Sequence, residues 1–233
     1  MLLVPIAMRP FRDARRHHRI LLPATLRVRH SNRMKAFPSN DGHQSETDGR
    51  RLRADSSRRR IVEAMMELVK EGDVSPSAEA VAAKAGVGRR TVFRLFSDME
   101  TVYGEIQHVM LGRIEPIFCA PLEGRTWRDR LDEMIERRAL VFEEILPFKT
   151  AADARRHRSA FLQEDHAQLA RMTRQTLAEV LPKRMAPGSR PFEALDAALG
   201  MEMWQRLRHD QGLKPKAALA VMKHMADALA PRR

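Results

Sequence analysis

The chain has 233 residues, of which 43% are hydrophobic and 31% charged, with a formal net charge of +12. Its apolar runs are far shorter than the roughly 20 residues that span a bilayer, so the composition excludes a membrane-spanning helix. A single cysteine, Cys119, excludes an internal disulfide framework and fits a reducing compartment. We expect this thiol to be buried and inert.

The positive charge is concentrated at the start of the chain. Residues 1–33 contain eight arginines and one acidic residue. Residues 1–55 lack helical periodicity and collect Arg, His, Pro, Ser, Asn and Gly, which predicts a basic, disordered extension. Three interpretations stay open: an arm that adds DNA phosphate contacts, an Arg-rich targeting peptide, or an artefact of a true translation start at Met8 or Met34.

From residue 56 onward the pattern is helical almost without a break. The spacing of the apolar residues over 61–69 predicts a first helix over 56–71. Ser75 or Ser77 is then expected to cap a second helix.

The stretch SAEAVAAKAGVGRRTVFRLF, residues 77–96, has the features of a helix-turn-helix unit. A small residue such as Ala82 lets two helices approach closely, and Gly86 suits a turn that needs a positive φ angle. The helix over 89–96 begins on arginines. In a helix-turn-helix this second helix enters the DNA major groove, with its first side chains facing the base edges.

Further amphipathic segments follow. Ser97 or Asp98 is expected to cap a fourth helix that ends near 111–114, and Pro116 and Pro121 mark the connection onward. The remaining predicted helices cover 126–146, 150–157, 159–181, 192–209 and 216–230. Because no segment alternates with the period of a strand, the predicted fold class is all-α.

The run from Arg60 to Tyr103 resembles the DNA-binding domain of the TetR family of bacterial transcriptional regulators. The positions that match the family pattern are Ser77 at the cap, Val81–Ala82, Ala85–Gly86–Val87–Gly88, Thr91–Val92–Phe93, and the closing aromatic Phe96. The resemblance implies a three-helix helix-turn-helix DNA-binding domain over 56–103. It also implies a larger helical domain for effector binding and dimerisation over 104–233.

Some positions depart from the family pattern. Phe93 lacks the hydroxyl that the family's tyrosine often donates to a phosphate, and Met99 replaces a lysine. The expected contacts therefore move to arginines, with Arg90 facing base edges and Arg89 or Arg94 facing the backbone. The complete predicted DNA-binding set is Ser77, Gly88, Arg89, Arg90, Thr91, Phe93, Arg94, Arg58, Arg59 and Arg60.

The resemblance also implies that the last two long helices dimerise as a four-helix bundle with their mates. The predicted interface stripe is Leu195, Leu199, Met203, Leu207, Leu219, Met222 and Met225. A stripe of core residues would have the same spacing, so the sequence leaves both possibilities open.

In the family, a small-molecule pocket lies among the helices of this second domain. The candidates are its larger apolar side chains, which would suit a small, largely apolar effector. They are Trp127, Met134, Phe142, Phe148, Phe161, Met172 and Trp204.

Catalysis and metal binding have little support in the sequence. Asp153 with His157, and Asp165 with His166, have spacings that would suit a metal, but the adjacent arginines oppose a cation. No GxSxG, HExxH or phosphate-loop pattern occurs. We therefore expect solvated surface at these residues, no metal, no cofactor and no enzymatic activity.

The sequence thus predicts a homodimeric TetR-like repressor in the bacterial cytoplasm, associated with the nucleoid and with no membrane partner. It would bind a pseudo-palindromic double-stranded DNA operator and leave it on binding an effector. Two alternatives remain: a ligand-independent or nucleoid-associated DNA-binding protein, and an all-α enzyme or adaptor with a degenerate helix-turn-helix. Sequence-specific DNA binding would distinguish the repressor and the ligand-independent DNA-binding protein from the enzyme or adaptor. Thermal stabilisation by a member of a ligand panel would distinguish the repressor from the ligand-independent protein.

Overall fold

The computed structural model describes residues 41–230, which belong to one structural unit, Ser39–Arg233. Within that range the chain is helical and contains no strand, so the all-α prediction is confirmed. The helices are α1 (Asp41–Lys70), α2 (Ala78–Ala85), α3 (Arg89–Leu95), α4 (Met99–Phe118), α5 (Trp127–Arg156), α6 (Ala160–Val180), α7 (Arg190–Ala198), α8 (Met201–Gln205) and α9 (Pro215–Leu229). A 3₁₀ turn (Lys183–Met185) and a π-helix (Arg206–Asp210) complete the list. None of the helices in this range is both long and apolar enough to cross a membrane.

Helix α1 begins well before the predicted start at residue 56. Residues 41–55 are helical, which corrects the prediction that they are disordered, while residues 1–40 lie outside the described part of the chain. The sequence of this first half contains no apolar stripe, and Leu52 is 68% exposed. Extending an existing helix needs no new nucleation, so polar residues can continue a helix that the packed half from Ile61 onward anchors.

The predicted helix-turn-helix forms from α2 and α3. The hydroxyl of Ser77 accepts the Ala80 N–H at 3.1 Å and caps α2. Gly86 ends that helix in the left-handed conformation, with φ of 62°, where a side chain would be strained. Val81 and Val92 are buried in a core shared with Met65 of α1, which sets the angle between the two helices.

Helix α4 joins the two predicted domains without interruption. Asp98 caps it by accepting the Thr101 N–H at 2.8 Å, and the helix continues through Pro116 to Phe118. The predicted boundary after Tyr103 therefore falls inside this helix. Pro116 lies in the last turn, where its missing N–H removes only one hydrogen bond near a helix end.

Helix α5 replaces two predicted helices with one. A capping box between Thr126 and Asp129 starts it, and it runs through Pro147 to Arg156. Ile145 and Phe148, on either side of the proline, are both buried in the core. Packing on both sides offsets the local cost of the proline, which sequence patterns alone cannot show.

The predicted helix over 192–209 is instead broken at Leu199–Gly200 into α7, α8 and the π-helix. Arg138 of α5, which is 1% exposed, donates to the carbonyl of Leu199 at 3.0 Å. That carbonyl lies at the C-terminal end of α7, where helix carbonyls lack partners within the helix. Burial lowers the pKa of Arg138 to about 10, despite the opposing charge of Asp196, so the guanidinium is still a cation at neutral pH.

Candidate DNA-binding surface and effector cavity

Helix α3 has one buried side and one exposed side. Val92 is 1% exposed and packs inward, whereas Arg90 and Arg94 are exposed. Phe93 is 46% exposed, which is unusual for a large apolar side chain. The exposed side of α3 therefore presents two arginines and an aromatic ring.

Arg89, at the start of α3, is partly engaged within the protein. Its guanidinium forms an ion pair with Glu79 of α2 at 2.8 Å and lies over the ring of Phe93 at 5.5 Å. Both partners of the ion pair are more than half exposed, so solvent screens the attraction strongly. Arg89 can therefore exchange this partner for another anion at little cost.

Arg58 does not lie on the exposed surface with its neighbours. Its Nη1 donates to the Leu95 carbonyl at 3.0 Å, and its Nη2 donates to Glu105 at 2.6 Å. The guanidinium also lies 4.4 Å from the centre of the Phe96 ring. The hydrogen-bonding groups of Arg58, which was predicted to contact DNA, are therefore engaged in holding α1, α3 and α4 together. Arg59 is exposed.

The other predicted DNA-binding residues have mixed positions. Arg60 is exposed and only weakly engaged, with Ser57 at 3.5 Å. The hydroxyl of Ser77 is used in capping α2, and Gly88 is the N-cap of α3 with φ of −72°, which any residue can adopt. Thr91 is half-buried. Of this group, Arg60 alone offers an uncommitted charge to a polyanion.

A cavity of about 110 Å³ lies between α4, α5 and α6. Most of its lining is apolar, and three of the seven predicted ligand contacts belong to it. These three are Phe148, Phe161 and Met172. The structure therefore brings part of the predicted pocket together.

The other four predicted contacts do not line this cavity. Met134, Phe142 and Trp204 are buried in the core, at 5%, 0% and 0% exposure. The indole N–H of Trp204 donates to Glu143 at 3.1 Å. Trp127 lies at the start of α5, with Arg128 over its ring at 4.4 Å. Core and pocket positions have the same helical spacing, so the sequence could not separate them.

Polar residues also line the cavity. Gln107 donates to the carboxyl of Asp165, and the buried ammonium of Lys149 pairs with Asp153 outside the lining. Burial raises the pKa of Asp165 above its ordinary value, more than the hydrogen bond from Gln107 and the charge of Lys149 lower it. An apolar molecule with a hydrogen-bonding group at one end would match this lining.

Sequence reasoning missed the contribution of α4 to the cavity. Tyr103, Ile106, Gln107 and Met110 all line it, although none of the predicted ligand contacts lies on α4. One signal was available, because Gln107 is a polar residue flanked by the apolar positions Ile106 and Met110. A polar side chain beside such a stripe can mark the lining of a binding site.

The predicted dimer stripe divides into two groups. Four of its residues are buried in the core of the single chain at 2% exposure or less, so they have no surface to give to a second copy. These are Leu195, Leu199, Leu207 and Met222. The half-buried residues Met203, Leu219 and Met225 remain available for an interface.

Of the residues discussed for metal binding, the two carboxylates Asp153 and Asp165 are engaged by other side chains. Asp153 pairs with Lys149 and with Arg156, the latter at 3.5 Å. Among residues 41–230, no group of three or more His, Cys, Asp or Glu side chains has a metal-binding arrangement. Cys119 is half-buried, and burial, together with the charge of Glu115, raises the pKa of its thiol.

The described residues form a helix-turn-helix on a small helical bundle, which α4 joins to a larger helical body. A search of solved structures matches the crystal structure of a TetR-like transcriptional regulator from Rhodococcus sp. RHA1. The match has a TM-score of 0.51 and 16% sequence identity, and it covers 75% of this chain and 93% of that chain. No protein-family model and no curated protein matches the sequence. The predicted resemblance to TetR-like proteins is thereby confirmed at the level of the fold.

Proposed function

We propose that this chain is a homodimeric transcriptional regulator that acts at the bacterial nucleoid. It binds a pseudo-palindromic double-stranded DNA operator through α3, as a repressor, and a small, largely apolar effector releases it. The observation that most supports this proposal is that Arg90 and Arg94 are exposed on the side of α3 opposite the buried Val92. An exposed arginine at this point of a helix-turn-helix can hold guanine O6 and N7 with two hydrogen bonds.

The division of roles follows from what each side chain already contacts. Arg90 is assigned to base edges. Arg94, Arg59 and Arg60 are assigned to phosphates, because all three are exposed. The exposed ring of Phe93 suits an apolar contact with a thymine methyl group.

Effector coupling is proposed to run through α4. The cavity-lining residues Ile106 and Met110 follow on the same helix as Glu105, which holds Arg58 and through it the end of α3. A ligand that separates α4 from α6 would therefore shift the helix that supports the helix-turn-helix. Such a ligand lowers DNA affinity only if it binds the shifted arrangement more tightly.

Dimerisation is proposed to use the half-buried residues of the C-terminal region, Met203, Leu219 and Met225. Two copies related by a two-fold axis would bring two α3 helices to successive major grooves of one duplex face, about 34 Å apart. The two-fold symmetry is the physical reason for expecting a pseudo-palindromic operator, and the spacing sets the separation of its half-sites.

The test is fluorescence anisotropy with purified protein and labelled DNA that flanks its own gene, with scrambled DNA as the control, at several salt concentrations. The proposal requires tight, sequence-selective binding that survives moderate salt. Equal and weak binding to both DNAs that disappears with salt would refute it, because that behaviour needs only positive charge.

A further inference from the structure

A second, more polar cleft adjoins the apolar cavity and shares Tyr103 and Leu162 with it. It lies where the loop between α1 and α2 meets the corner of α5 and α6. Its volume is about 420 Å³, and its lining includes one carboxylate, that of Glu100, with the donors Ser75, Tyr103, Arg155, Arg158 and Ser159. Its lining is therefore rich in hydrogen-bond donors. We call it the donor cleft.

Two of these donors are buried without a partner. The hydroxyl of Tyr103 and the Nε of Arg155 have no hydrogen-bond partner among the described residues, and Tyr103 is 7% exposed. Buried polar groups in folded proteins are nearly always hydrogen-bonded, so each exception needs an explanation. Two exceptions in one cleft point to a shared acceptor.

Both groups are held in place. The Nη2 of Arg155 donates to the hydroxyl of Ser75, and its guanidinium carbon lies 5.9 Å from the centre of the Tyr103 ring. Burial raises the pKa of Tyr103, while the charge of Arg155 opposes that rise and the charge of Asp73 adds to it. The phenol hydroxyl therefore lies within electrostatic reach of the guanidinium.

Two carboxylates lie at the cleft, Glu100 in its lining and Asp73 in the loop before Ser75, and both already have donors. Glu100 accepts the hydroxyl of Ser159, and Asp73 accepts the Ser75 N–H at 2.9 Å. Neither satisfies Tyr103 or the Nε of Arg155. Arg158 is exposed at the start of α6, where the helix dipole also favours an anion. An incoming anion would thus meet cationic donors, while the nearby acidic groups are already engaged.

We propose that the donor cleft binds a small oxyanion, a carboxylate or phosphate group, which accepts hydrogen bonds from the Tyr103 hydroxyl and the Arg155 Nε. A guanidinium that offers several N–H groups matches the oxygen geometry of both anions. The bound anion would also hold Arg155 against Ser75, in the loop that leads into α2. The proposal does not depend on DNA binding or on the apolar effector.

The test uses the full chain without DNA, titrated with sodium phosphate or sodium acetate while sodium chloride keeps the ionic strength constant. We expect a saturable increase in melting temperature, with the matching heat in calorimetry, for at least one of the two anions. The anion that saturates at the lower concentration identifies the class. If neither anion has an effect at tens of millimolar, the proposal is overturned.

Variants assign the effect to the cleft. Tyr103→Phe keeps the ring and should weaken the anion about tenfold, the equivalent of one hydrogen bond, without lowering the melting temperature of the anion-free protein. Arg155→Gln should abolish anion binding.

Arg171→Gln is the matched control, because it removes an exposed α6 arginine outside the cleft. Arg90→Ala should leave the response unchanged. An unaltered response in Tyr103→Phe, or a loss in Arg90→Ala, would overturn the proposal.

Discussion

Arg58 donates to Glu105 at 2.6 Å and thereby joins α1 to α4, across the end of α3. The same guanidinium donates a hydrogen bond to the carbonyl of Leu95 at 3.0 Å. A residue that the sequence groups with two neighbouring arginines as a DNA contact is therefore an internal support of the helix-turn-helix. Arg59, beside it in the chain, is exposed.

The pair Arg58 and Arg59 gives a matched comparison. Arg58→Ala should lower the free energy of unfolding by about 1 kcal/mol, since its partly exposed hydrogen bonds are lost. Arg59→Ala should change it by less than about 0.5 kcal/mol. Urea denaturation of both variants measures the difference. Equal stability of the two would show that the Arg58 contacts contribute nothing.

The same two variants separate support from phosphate contact. Arg59→Ala should reduce the slope of log affinity against log salt by about 1, because one phosphate contact is removed. Arg58→Ala should leave that slope unchanged while weakening binding through a displaced α3. Anisotropy over a salt series measures both slopes, and a lower slope for Arg58→Ala would restore it as a DNA contact.

Arg90→Ala should cost about 1–3 kcal/mol of binding at the specific operator and relax base preference at one position in each half-site. Its affinity for scrambled DNA should fall much less, because bidentate base contacts carry the specificity. Competition binding against operators with single base changes measures this. Unchanged operator affinity would remove Arg90 from base recognition.

Filling the apolar cavity tests the effector site. Ala152, which lines it, is changed to leucine. Ala152→Leu should raise the free energy of unfolding by up to about 1 kcal/mol and reduce the binding of an uncharged apolar dye such as Nile red. Met134→Leu is the control, since Met134 is buried outside the cavity lining. Equal dye binding in both variants would argue against the cavity as the binding site.

The carboxyl of Glu193 should make the stability of the fold depend on pH in the acid range. Hydrogen bonds from Arg174 and from the Gly188 N–H lower its pKa from 4.5 to about 2. A lowered carboxyl pKa contributes stability that is complete above the unfolded pKa and is lost as the pH falls from about 4.5 to 2. Glu193→Gln should flatten the melting temperature over this window, and so should Arg174→Gln. A slope identical to that of the wild type in both variants would contradict this.

Two neighbouring methionines of α9 test dimerisation. Met225 is half-buried, whereas Met222 has no exposed surface. Met225→Glu should give a folded monomer of 26.7 kDa by light scattering, because the charge is introduced at the edge of the core, where the proposed interface would bury it. Met222→Glu should instead unfold the chain, as judged by circular dichroism. A dimer that persists in Met225→Glu would exclude this face.

Local patterns determined much of this protein from the sequence alone. The apolar period, the capping side chain of Ser77 and the turn glycine Gly86 act within a few residues of chain, so α2, α3 and their turn follow directly from them. The start of α1 did not follow, because residues 41–55 continue a helix without an apolar face. The same local information fixes no partner for a side chain that is distant in sequence.

Tertiary structure alone decided which apolar residues of a helical stripe lie in the core and which line the cavity. It also decided which arginines are exposed and which form internal hydrogen bonds. Leu195 and Leu199 are buried in the core of the single chain and not at an interface. Phe148 and Phe161 line the cavity, whereas Phe142 is buried in the core. Arg58 and Arg138 became internal donors to carbonyls more than 35 residues away. Helical spacing specifies which side of a helix is apolar. The element against which that side packs depends on contacts between helices that are far apart in the chain. Those contacts leave no local pattern in a single sequence.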